Sequence, residues 1–214
     1  MLKIYGRATS SNVQAVLWGL AELGLEHQRI DAGGRFGGLD TPEFLAMNPH
    51  RRIPVLVHND GPAIFESAAI LRYLGATFGN APVWPADPVA RAQVDKWAEW
   101  AKIDVANNFT GPIFWRVVRT PPERHDLPAI GAAVDRLERE LERADAQLAR
   151  HPFLAGDALT LADIPLGHIL YRYFDIQIER RELPNLRSYY DRLTRRPAYR
   201  DTVMVSYESL RNTI

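Results

Sequence analysis

The sequence predicts a two-part fold: an α/β unit over residues 1–79, a linker at 80–88 and an all-α unit over 89–214. Three observations predict it. Short strand-like runs alternate with helical periods as far as Phe78; Pro82, Pro85 and Pro88 then crowd one short stretch; and beyond them the apolar spacing is helical throughout.

Leu2 to Tyr5 reads as a strand with Leu2 and Ile4 on one face. After the loop Gly6-Arg7-Ala8-Thr9, the polar run Ser10-Ser11-Asn12 precedes Val13, Val16, Leu17 and Leu20, an amphipathic helix with Gly24 as its stop. His27 to Ile30 is a second strand. A glycine-rich loop, Ala32 to Asp40, leads to Thr41-Pro42-Glu43, a helix start carrying Phe44, Leu45 and Met47.

Residues 48–67, NPHRRIPVLVHNDGPAIFES, are the most informative stretch. Pro54 cannot donate into a central ladder, so it belongs at the first residue of a strand, Val55 to His58. An X-Pro bond entering a strand is a candidate cis peptide, and a cis Ile53-Pro54 turns the Ile53 N–H and C=O out of the sheet, free to pair with an extended peptide. Asn59-Asp60-Gly61 supplies a hairpin turn that folds Ala63 to Phe65 back on the strand. Glu66 and Ser67 then open a helix whose apolar positions are Ile70, Leu71, Leu74 and Phe78, placing both residues beside unpaired N–H groups that suit a ligand bearing an amine and a carboxylate. The alternative for Ser67 is that it only caps its own helix. The order, β-α-β-α and then a proline-led β-β-α, is the thioredoxin arrangement.

In the second unit Val94, Trp97 and Ala101 begin a long helix interrupted at Gly111-Pro112 and broken at Pro121-Pro122. Ile130, Val134, Leu137, Leu141, Ala144 and Leu148 form the stripe of the next, and the two are expected to make an antiparallel hairpin. Thr160-Leu-Ala-Asp163 is a capping box, with Leu159 and Ile164 as its staple, starting the central helix. Pro184 opens a further helix, and Arg196-Pro197 ends it and starts the last.

Composition excludes several classes. Hydrophobic residues at 46% and charged residues at 24% are ordinary for a globular chain with a real core. A net charge of +0 provides no field to recruit nucleic acid or an anionic membrane. No run of 18 apolar residues and no signal-peptide pattern is visible, so a cytoplasmic location is expected. The six histidines are scattered without metal-ligand spacing, and no metal is expected. With 0 cysteines the chain cannot attack through a thiolate of its own, so any sulfur chemistry must use a sulfur that the substrate brings.

Taken together, NPHRRIPVL, FESAAILRYL, TLADI and PNLRSYYDRLTRRPA resemble the cytosolic glutathione transferases across nearly the whole chain, in that family's order. GRATSSNVQAVLW, FLAMNP and VRTPPE resemble a bacterial branch with serine or asparagine at the first helix. The resemblance implies a thioredoxin-like domain binding glutathione as co-substrate, an all-helical domain completing a pocket for a small hydrophobic or anionic electrophile, and a homodimer. It assigns Glu66 and Ser67 to the γ-glutamyl end, Ile53 and Pro54 to the cysteinyl unit, Arg51 and Arg52 to the glycine carboxylate, and Ser10 to the sulfur, with Asn12 as rival and Ser11 beside them. Leu39 stands where several classes place a polar side chain for the glycine end. For the second substrate Arg7, Phe36, Phe114, Trp115 and Arg119 are the candidates.

A free thiol with a pKa of about 8.5 is roughly 3% thiolate at pH 7, and lowering that pKa by about 2 units requires about 2.7 kcal/mol. A hydroxyl bonded to the anion supplies about 1.5 to 3 kcal/mol, and a helix N-terminus about 0.3 to 1. One serine at the start of the first helix is therefore sufficient in magnitude, unless Ser10 or Ser11 is occupied in capping that helix. The expected activity is conjugation of the glutathione thiolate to electrophiles, of the detoxifying kind, with a hydroperoxide as a further target. The competing expectation is a binding protein that keeps the fold without turnover.

Overall fold

The structure, a computed structural model, describes residues 1–214. Its amino-terminal part is a four-stranded sheet of order β2-β1-β3-β4. Here β1 is Leu2–Tyr5, β2 His27–Ile30, β3 Val55–His58 and β4 Ile64–Phe65. β1 runs parallel to β2 and antiparallel to β3, and β3 runs antiparallel to β4 with Val55 opposite Phe65. Helix α1 (Ser11–Glu22) crosses between β1 and β2, α2 (Pro42–Met47) precedes β3, and α3 (Ser67–Phe78) follows β4.

Alternation along the strands sorts side chains onto two faces. Leu2, Ile4 and Leu56 meet Val13, Val16, Leu17 and Leu20 of α1 and Ile70 and Leu74 of α3. On the other face Val55 packs with Phe44 of α2 and Ala32. The local punctuation works as its chemistry demands. Thr41 accepts a hydrogen bond from the Phe44 N–H at 3.2 Å. Gly24, at φ 64°, closes α1 while the Leu25 N–H reaches the Leu20 carbonyl at 2.9 Å. In the hairpin turn the positive φ falls on Asn59, at 52°, and not on Gly61.

Past Phe78 the chain is helical. Asp87 caps α4 (Pro88–Trp100), accepting from the Ala90 N–H at 2.7 Å. The path then continues without a break in direction, but with wide π-type turns over Ala101–Ala106 and Thr110–Arg119 on either side of one α turn. Such turns are i→i+5 bonded, and they occur often at functional sites. The sequence expectation of an interruption at Gly111-Pro112 is thus met by widening of the helix rather than by a break. Helix α5 (Leu127–Leu148), capped by Asp126, buries all six positions of its predicted stripe. Helices α6 (Asp163–Asp175), α7 (Pro184–Thr194) and α8 (Pro197–Thr202) complete the layer.

One core joins the two parts. Ala15 and Trp18 of α1 and Leu71 of α3 belong to the same apolar cluster as the helical layer. Trp18 is fully buried, meets Tyr199 edge-on at 4.9 Å and donates to Glu22 at 2.8 Å, while Arg196 of the helical part pairs with the same Glu22. Gly167 permits this closeness: a Cβ there would lie 2.7 Å from the Trp18 ring.

The capping box at Thr160 does more than start α6. Asp163 is fully buried and accepts from Thr160 N–H, Thr160 Oγ1, Leu154 N–H and Tyr189 O–H at 2.8 to 3.3 Å. Burial pushes its carboxyl up to about 6, against the opposing pull of those four hydrogen bonds.

Candidate active site

The mouth of α1 separates two cavities, and most candidate residues fall into one or the other. The smaller, about 230 Å³, is lined by Asn12, Ile53, Pro54, Glu66, Ser67 and Arg52, with Asn48, Lys102 and Asn107 completing it. The larger, about 380 Å³, is lined by Arg7, Phe36 and Arg119 together with Ala8, Thr9, Arg29, Asp31, Arg35 and the carboxy-terminal residues Ser209, Leu210 and Thr213.

In the smaller cavity Ile53-Pro54 is a cis peptide, and neither backbone group of Ile53 enters the backbone hydrogen-bond network. Asn48 holds the turn, donating to the Arg52 carbonyl at 2.8 Å and accepting from the His50 N–H at 3.0 Å. Glu66 has φ 67°, a left-handed value rarely adopted by a residue with a Cβ and one that costs on the order of 1–3 kcal/mol. Its carbonyl still accepts the first hydrogen bond of α3, from Ile70 N–H at 2.9 Å. Ser67, 4% exposed, donates to Asn12 Oδ1 at 3.3 Å instead of capping its helix.

Lys102 is the residue the sequence reading missed. Its Nζ donates to Asn12 Oδ1 at 2.8 Å and to Ser67 Oγ at 3.2 Å. Burial holds its pKa below the ordinary lysine value, while the fields of Glu66 and Glu99 pull it back up. A signal was present: Lys102 lies four residues beyond the buried Ala98, on the apolar stripe that Val94 begins. Asn107, from the same widened helical path, was missed as well.

Ser10 occupies the N-cap position of α1, yet its side chain makes no capping hydrogen bond. Its backbone N–H bonds to the Arg7 carbonyl and its carbonyl accepts from Gln14 N–H. It stands between Thr9, which lines the larger cavity, and Asn12, which lines the smaller. Ser11 is buried in the first turn and lines neither. Arg51 is exposed at φ 54° outside both, whereas Arg52 borders the smaller one. Leu39 packs toward Ala32, Phe44 and Val55.

The larger cavity is strongly basic. Arg29 is paired with Asp31, leaving Arg7, Arg35 and Arg119 without a carboxylate partner. Burial and then the charge of Arg119 hold Arg7 below its usual arginine value, and the Arg7 Nε is buried without a hydrogen-bond acceptor. Arg35 lies over the Phe36 ring at 4.7 Å. Of the aromatic candidates, Phe114 is 1% exposed and packs in the core with Phe109 and Tyr207, covered by the Arg172 guanidinium at 4.6 Å, so it stands behind the cavity and does not face it. Its spacing on the widened helix turns it inward. Trp115 is 45% exposed, outside the cavity, with Arg119 stacked on it at 5.1 Å.

A thioredoxin-like sheet opening a cis-proline cavity onto an all-helical layer defines the glutathione transferase architecture. The family profile described as "Glutathione S-transferase, N-terminal domain" matches residues 9–77, and that described as "Glutathione S-transferase, C-terminal domain" matches residues 107–197. The chain is 38% identical to glutathione S-transferase GstB of Escherichia coli K12, over 96% of this chain and 99% of that protein. It is 31% identical to glutathione S-transferase 3 of Zea mays, over 94% and 93% respectively. Among solved structures, the theta class glutathione S-transferase of Xanthomonas axonopodis pv. citri with glutathione bound is 42% identical and superposes with a TM-score of 0.90, over 96% of this chain and 98% of that one. The chain belongs to the glutathione S-transferase family. None of its helices is long and apolar enough to cross a membrane.

Proposed function

We propose that the protein is a glutathione transferase of a serine/asparagine-type bacterial branch, acting as a cytoplasmic homodimer of the detoxifying kind, and that it joins the glutathione thiolate to a small electrophile. The observation that carries this reading is the shared wall: the Thr9 to Asn12 turn borders both the cavity lined by Ile53, Glu66 and Ser67 and the basic cavity beside it. In this reading the Ile53 backbone pairs with the cysteinyl unit, Glu66 and Ser67 take the γ-glutamyl end, and Arg52 takes the glycine carboxylate that Leu39 cannot. Ser10, free of capping, donates its hydroxyl to the sulfur. The thiol proton leaves to solvent, the thiolate attacks an electrophilic carbon, and the leaving group departs with the bonding pair. A hydroperoxide oxygen is a second target of the same thiolate.

The basic cavity favours the anionic class of electrophile over the neutral hydrophobic one. Ala8, Phe36 and Leu210 are its apolar lining, set among four arginines. The test is retention on immobilised glutathione followed by turnover of two activated aryl halides, one neutral and one bearing a sulfonate. Retention, with turnover and a lower KM for the sulfonate, is the expected result. Retention without turnover of any electrophile would replace the enzyme with a binding protein.

A further inference from the structure

In the smaller cavity Lys102 carries a charge that none of the contacts assigned to Ile53, Glu66, Ser67 and Arg52 uses. Lys102 projects from the first widened turn after α4, and the chain has only three lysines against 23 arginines. Its ammonium is half-buried and donates to two neutral acceptors, Asn12 Oδ1 and Ser67 Oγ, with no carboxylate in hydrogen-bond contact. Two acids reach it with their fields, Glu66 and Glu99. Glu99 is already bonded to Arg72. That leaves Glu66, which lines the same cavity, as its counterpart.

A cavity with one ammonium and one carboxylate is the complement of an α-amino-acid head, itself a zwitterion. We propose that Lys102 is a glutathione-binding residue: its ammonium, with the Ser67 hydroxyl, takes the α-carboxylate of the γ-glutamyl unit, and Glu66 takes the α-ammonium. The inference rests on the glutathione reading and adds to it a specificity-determining cation supplied by the helical layer. An incoming carboxylate gives the partly desolvated ammonium a charge-assisted partner, which is stronger than the neutral acceptors it has now. Asn12 then becomes a positioning residue. Its Oδ1 accepts from both Lys102 and Ser67, so its amide oxygen is committed to holding the cation in place.

The experiment is calorimetry on the full chain with two ligands: glutathione, and the analogue whose γ-glutamyl unit is replaced by 4-aminobutanoyl, which keeps the amine and lacks the α-carboxylate. The wild-type protein should prefer glutathione by about 10- to 100-fold, the scale of a charge-assisted hydrogen bond. Lys102→Gln should lose most of that preference by weakening glutathione and hardly changing the analogue. Lys96→Gln, an exposed lysine on α4 bonded to Gln93, should change neither. A preference retained in Lys102→Gln, with both ligands unaffected or weakened equally, would overturn the assignment. Absence of glutathione binding by the wild-type protein would remove the underlying reading instead, and the wild-type arm shows this before any variant is made. Should Lys102→Gln fail to fold by thermal melting, Lys102→Arg keeps the charge and must keep the preference.

Discussion

Arg172 of α6 donates a 2.8 Å hydrogen bond to the carbonyl of Thr9, the residue before Ser10. The central helix of the all-α layer therefore holds the turn at which the sulfur is expected to be activated. Arg172 is 2% exposed, lies over the Phe114 ring at 4.6 Å and the Tyr207 ring at 5.8 Å, and burial brings its guanidinium down to about 10. Arg172 pairs with no carboxylate and its Nε has no hydrogen-bond partner, so an apolar side chain of similar length leaves no buried counter-charge behind. Arg172→Met should accordingly fold, but release the Thr9-Ser10 peptide, and a misplacement of about 1 Å costs on the order of 100-fold in rate. We expect kcat to fall at least tenfold with a smaller change in KM and in Tm. A loss of Tm large enough to account for the lost activity would make Arg172 structural only.

Ser10 makes no capping hydrogen bond whereas Asn12 accepts from Ser67 and Lys102, so the two are expected to play different roles, and thiolate absorbance can test them. Ser10→Ala should raise the pKa of bound glutathione and remove its thiolate signal near neutral pH. Asn12→Ala should weaken glutathione binding while the signal survives at saturation. The reverse outcome would make Asn12 the donor to the sulfur.

His168 should make the fold sensitive to acid. It is buried, with Nδ1 3.0 Å from the Ile164 carbonyl, and burial first and then the Lys102 charge lower it from 6.5 to about 3. An unfolded chain takes up this proton near 6.5, whereas the folded chain resists it until about 3. Stability from this group is therefore complete above 6.5 and lost as pH falls toward 3, by on the order of a few kcal/mol at most. Urea midpoints at pH 7.0 and 4.5 should differ more for the wild-type protein than for His168→Asn. Equal differences would place the acid sensitivity elsewhere.

With 0 cysteines, disulfide reduction lacks a protein thiolate to accept the substrate sulfur and divide the step. Reduction of a mixed disulfide should run about 100-fold or more below aryl halide conjugation at equal glutathione, the scale of one well-placed catalytic group. Parallel assays with equal rates would show that bound glutathione alone does this chemistry efficiently.

Local chemistry determined much of this protein from the sequence alone. Thr41-Pro42 and Pro184 open helices where their backbone preferences require, Ile53-Pro54 is cis, and the α5 stripe from Ile130 to Leu148 is buried throughout. Each of these depends on neighbours within a few residues, so periodicity and capping report it. Two positions needed the tertiary structure: Phe114, a candidate for the second-substrate pocket, lies in the core, and Lys102, on a core stripe, lines the smaller cavity. A helical period says which face of a helix is covered, but not whether the cover is another helix or a cavity. Arg7, Arg29, Arg35 and Arg119 become one basic surface only because β1, β2, the glycine loop and the end of the widened helix converge there. Asn12, Ser67 and Lys102 likewise meet across 90 residues of chain. Such juxtapositions are set by how α1, α3 and the widened helix pack on a common core, a long-range packing that no stretch of the sequence encodes by itself.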